Sequence, residues 1–119
     1  MPIPAPIFSA GSIVFDGSVN SAIIEPHTTG FLLASGTLEF DFVANQINDR
    51  RFLFSKDSGG FDDGGHLGVY IEDGALVVRI QSTNSTIAVT GSDLISAGQQ
   101  HHVAVTFGSA EGLSVYVDG

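Results

Sequence analysis

From Gly11 onward the apolar residues recur at every second position, and no stretch of a dozen residues keeps an apolar stripe of period 3.6. Period two belongs to strands with one buried face, because successive side chains leave opposite sides of a pleated backbone. The pattern excludes a helical bundle. It predicts ten short strands, at 12–15, 22–25, 30–33, 37–44, 51–55, 66–72, 75–82, 86–90, 101–107 and 113–118, separated by clusters of Gly, Asp, Asn and Ser. None of the gaps has room for a crossover helix, so the strands must pair antiparallel, in a sandwich or jelly roll.

Two segments predict their own pairing. Leu67-Gly68-Val69-Tyr70-Ile71-Glu72 enters Asp73-Gly74 and leaves through Ala75-Leu76-Val77-Val78-Arg79-Ile80. Asp-Gly suits a two-residue type I′ turn, whose register sets Ile71 opposite Leu76, Val69 opposite Val78 and Leu67 opposite Ile80. Those six share a core face, while Tyr70, Glu72 and Arg79 point outward. A second hairpin reads His101 to Phe107 and Leu113 to Val117, with Val103, Val105, Phe107, Leu113, Val115 and Val117 turned inward.

The chain of 119 residues is 43% hydrophobic, enough for one domain with one core. Four Lys and Arg against thirteen Asp and Glu give a net charge of −9, which repels nucleic acid and anionic lipid surfaces. No apolar run reaches the roughly 20 residues of a spanning helix, so no membrane insertion is expected. There is no cysteine, which removes disulfides and thiolate chemistry. Residues 1–10, with prolines at 2, 4 and 6, read as an extended N-terminal arm without the basic head or apolar centre of a secretory signal. The folded domain is expected over residues 11–119.

Four motifs in order resemble one family. Gly98-Gln99-Gln100-His101-His102-Val103-Ala104-Val105-Thr106-Phe107 is similar to a G-x-W-H-H-V-A-x-T-F strand. Leu113-Ser114-Val115-Tyr116-Val117-Asp118-Gly119 is similar to L-x-L-Y-V-D-G, and Gly36-Thr37-Leu38-Glu39-Phe40-Asp41-Phe42 to G-T-[LI]-E-[FA]-W-F. With the Asp73-Gly74 hairpin between them, the chain resembles a laminin-G-like module of the concanavalin A-like jelly-roll superfamily over about residues 11–119. It departs from the family at Gln100, where a Trp is usual, and at Asp41, where an aromatic is usual. Family members continue past V-D-G with further strands, so the resemblance implies a sandwich lacking its last strands and a larger parent chain.

Glu39 and Asp41 lie two apart on a strand and share its polar face. Laminarinase-type glucanases of the same superfamily carry E-x-D-x-x-E or E-x-D-x-E there, the two Glu serving as nucleophile and acid/base. Here the second Glu position holds Val43 or Ala44, so a glycoside hydrolase is the less favoured reading. The loop from Lys56 to Gly65 offers Asp57, Asp62 and Asp63 as calcium ligands, since calcium takes several oxygens from carboxylates and carbonyls. In calcium-binding laminin-G domains an Asp commonly precedes the strand that starts here at His66; that position is Gly65. His101 and His102 are adjacent on a strand and cannot share a metal; they read as structural residues of the family.

There is no Trp, and Tyr70, Tyr116 and Phe61 are the exposed rings on which a sugar could stack. The resemblance implies a non-catalytic adhesion or recognition module for glycan or protein ligands, with calcium assistance, in an extracellular or surface protein. The alternative is a structural spacer or assembly domain, of a surface or phage-tail-like protein, with no ligand.

Overall fold

A computed structural model of the chain describes residues 7–9, 12–18, 22–26, 35–56, 66–81, 86–91, 94–108 and 112–119. The described residues contain nine strands: β1 (Ile7–Ser9), β2 (Ser12–Val14), β3 (Gly36–Val43), β4 (Arg50–Lys56), β5 (His66–Glu72), β6 (Ala75–Gln81), β7 (Thr86–Gly91), β8 (Gln100–Gly108) and β9 (Gly112–Val117). They form a three-stranded sheet in the order β3-β8-β9, a four-stranded sheet in the order β4-β5-β6-β7 and a β1-β2 pair, all antiparallel. The architecture is all-β and consistent with a jelly-roll sandwich, as the pattern of the sequence requires.

Side-chain parity builds the core. Val69, Ile71, Leu76 and Val78 of the larger sheet meet Val103 and Val105 of the smaller one, each at 1% exposure or less. Burying a side chain of this size contributes about 1.5–3 kcal/mol, so these six and their neighbours hold the layers together. Leu38, Phe40 and Phe42 of β3 and Leu113, Val115 and Val117 of β9 pack around them.

The central hairpin takes the expected register, Ile71 to Leu76, Val69 to Val78 and Leu67 to Ile80. Asp73 and Gly74 have φ of 49° and 85°, both positive as a type I′ turn demands. The turn is also docked: the Gly74 amide donates to the Ile47 carbonyl (3.0 Å), and the Asp49 amide donates to the Asp73 carboxylate (3.1 Å).

Three features depart from expectation. β4 carries a register shift between Phe52 and Phe54. Phe52 faces Tyr70 on the outer side, while Leu53 and Phe54 both pack toward the core, so one strand supplies an aromatic ring to each face. Residues 22–26 form no strand; Ile23 and Ile24 are adjacent and would leave opposite faces, and Pro26 has no amide to donate. The expected arm ends in a strand of its own, β1, paired with β2 through Ile7–Val14, Phe8–Ile13 and Ser9–Ser12. The strand expected at 30–33 lies outside the described residues.

Gly74→Val tests the turn. A Cβ at this position would lie 3.6 Å from Ile47 Cδ1, which is ordinary contact, so the strain comes from φ alone. The variant should lose about 1–3 kcal/mol and melt several degrees below wild type. An unchanged melting curve would refute the turn assignment.

Candidate functional site

Because Leu38, Phe40 and Phe42 go inward, Thr37, Glu39, Asp41 and Val43 go outward from the β3-β8-β9 sheet. Cross-strand register sets them in rows: Thr37 beside Thr106 beside Ser114, Glu39 beside Ala104 beside Tyr116, and Asp41 beside His102. Ala104 is a low floor between Glu39 and the Tyr116 ring, which is 51% exposed. The face offers hydroxyls, carboxylates and one open aromatic ring.

His102 joins the two acids. Its Nε2 lies 2.9 Å from Glu39 Oε1 and its Nδ1 2.9 Å from Asp41 Oδ1. Both nitrogens can donate only when both carry protons, so the arrangement favours the imidazolium. The hydrogen bond to Asp41, more than the charges of Asp41 and Glu39, raises the pKa above the ordinary 6.5, against a smaller opposing effect of desolvation. Each carboxylate turns one oxygen to His102 and carries a second. Such a cluster can accept sugar hydroxyls beside a stacking ring. It lacks the paired Glu of a retaining glycosidase, since the next outward residue of β3 is Val43.

His101 has a different role. Its ring is 3% exposed. The Ser96 amide donates to Nε2 (3.1 Å), so Nδ1 carries the proton and donates to Asp118 Oδ2 at 2.8 Å. The other oxygen of Asp118 accepts the His102 amide (2.8 Å), and the Asp118 amide donates to the His102 carbonyl (2.9 Å). Asp118, at φ 54°, thus clips the end of β9 to the start of β8. These bonds, first that from the His102 amide and then that from His101, lower the Asp118 pKa below 3.8. Its contribution to stability is present above that value and is lost as pH falls through the lowered one.

The structure separates the rings singled out in the sequence. Tyr116 stands on the outer face of the smaller sheet, and Tyr70 on the outer face of the larger one, across the core. Tyr70 is not the open ring expected: it is 7% exposed, because Phe52 covers it at a centroid distance of 5.0 Å and the Arg50 guanidinium sits 4.8 Å above it. Phe61 and the expected calcium ligands Asp57, Asp62 and Asp63 lie outside the described residues. Among the described residues no group of three or more His, Asp or Glu is placed to hold a metal ion. The bridge from His102 to Glu39 and Asp41 had no local signal, since it depends on pairing two strands about sixty residues apart.

Residues 16–119 match a family model of the laminin G type, described as the concanavalin A-like lectin/glucanases superfamily. No curated protein and no solved structure gives a significant match to the chain.

The His102 bridge predicts a pH dependence of definite sign. A folded-state pKa above the unfolded value means that the contribution is full below 6.5 and lost as pH rises through the raised value. His102→Gln removes it, so the difference in melting temperature between wild type and variant should shrink as pH rises above 6.5. A difference independent of pH over that range would show that the imidazolium bridge does not form.

Proposed function

The chain belongs to the concanavalin A-like lectin/glucanases superfamily, and from that premise we propose that it is a non-catalytic recognition module whose glycan-binding face is the outer side of the β3-β8-β9 sheet. Membership supports a lectin-like or structural module; the superfamily also contains glycosidases. The observation that carries the finer reading is the row of Glu39, Ala104 and Tyr116 with Asp41 and His102 beside it. A sugar ring laid on Tyr116 would clear Ala104 and bring its hydroxyls to carboxylate oxygens, which is the division of labour a sugar site needs. Against turnover stands the tie of both carboxylates to one histidine, where a general acid must be free to reach a leaving oxygen. The module would serve adhesion or recognition within a larger extracellular or surface protein.

Titration of neutral oligosaccharides tests this. A ligand that binds should lose about tenfold in affinity with Tyr116→Ala, on the order of 1.4 kcal/mol, while the fold is retained. Binding to nothing in such a panel would favour the spacer reading, and turnover of a β-glucan would restore the hydrolase.

Calcium assistance is a separate part of the proposal, resting on Asp57, Asp62 and Asp63. Millimolar calcium should raise the melting temperature of wild type by mass action and leave the triple Asn variant unchanged. No rise in wild type removes calcium from the reading.

A further inference from the structure

The chain has four basic residues, Arg50, Arg51, Lys56 and Arg79, against thirteen acids. Three of the four line a single cleft of about 120 Å³ on the outer face of the larger sheet, across the core from Tyr116. Its floor is Gly68. A Cβ there would sit 3.3 Å from Phe52 Cε1, so the bare glycine is what lets the Phe52 ring lie close over the strand. Phe52, 57% exposed, and Tyr70 form an aromatic wall. Arg50 is held over Tyr70 by Glu72, which accepts from its Nε at 3.0 Å and its Nη2 at 2.7 Å. Arg79, in register beside Gly68, donates from Nη2 to Oε1 of Gln81, two residues along β6.

In a molecule of charge −9 most of the surface repels anions. Gathering the scarce cations around an exposed ring selects for a ligand that is both anionic and flat-faced. Guanidinium groups match the planar oxygens of carboxylate and the oxygens of sulfate, and an exposed Phe accepts the C–H face of a sugar. At about 120 Å³ the cleft is well below the roughly 300 Å³ at which enclosing pockets begin, so it has room for no more than one ring laid against its wall. We propose that this cleft binds a single acidic sugar unit, its ring against Phe52 and its carboxylate or sulfate toward Arg79. The site is independent of the Tyr116 face and stands or falls without it.

Calorimetry with the 119-residue chain decides the matter. An oligogalacturonate probes carboxylate, a carrageenan oligosaccharide probes sulfate, and a cello-oligosaccharide is the neutral control. At least one acidic ligand should bind, more weakly as salt rises from about 50 to 500 mM, and the arm that binds assigns the anionic group. Arg79→Ala, which removes only an exposed side chain, and Gly68→Ala, whose Cβ presses the Phe52 ring out of its place, should each weaken that binding about tenfold or more, whereas Tyr116→Ala should leave it unchanged. The melting curve of Arg79→Ala checks that the sheet is intact. Failure of both acidic ligands to bind, or binding that survives Arg79→Ala and Gly68→Ala, overturns the proposal.

Discussion

Everything on the outside of this molecule follows from what is packed between its sheets. Val69, Ile71, Leu76 and Val78 on one side and Val103 and Val105 on the other are sealed from water. In a strand a buried residue commits its neighbours to the opposite face. Once Val103 and Val105 are inside, His102 and Ala104 are outside. Once Leu38 and Phe40 are inside, Glu39 and Asp41 are outside, and the β3-β8 register places them beside His102. The polar face needs no separate instruction.

The paired histidines show how far that rule reaches. One position apart, they receive opposite surroundings: His101 is enclosed between the Ser96 amide and Asp118, and His102 is spread between two carboxylates at the surface. The placing of His-His at the start of one strand and Asp-Gly at the end of the next therefore has a mechanical reason in this chain. The first His and the Asp fasten two strand ends, and the second His is left for the outer face. Of the two, His101 ties strand ends together inside the fold and His102 ties two carboxylates together on its surface.

Local signals carried much of this. The Asp73-Gly74 turn, the register of its hairpin, the shared face of Glu39 and Asp41 and the opposed faces of His101 and His102 were all legible, because each depends on parity or on one turn. The missing second Glu was equally plain at Val43 and Ala44. What could not be read depends on partners distant in the chain. Phe52 and Arg50 cover Tyr70 from a neighbouring strand, and the cleft collects residues 50, 56 and 79 only after β4, β5 and β6 are aligned. The irregularity in β4 has no local mark, because Arg51-Phe52-Leu53-Phe54 contains neither Gly nor Pro.

That irregularity has an evolutionary consequence. Strand β4 is read in two frames, one before Leu53 and one after, and the change of frame is worth a single residue. Loss of the Leu53 codon would restore strict alternation and leave Phe54 opposite Val69 on the core side and Ser55 opposite Gly68 on the outer side. Such a deletion would cost the core the Leu53 side chain and would leave the aromatic wall of Phe52 and Tyr70 where it stands. Descendants of this chain can therefore shorten β4 by one residue at Leu53 and keep every other side chain of the strand on its face.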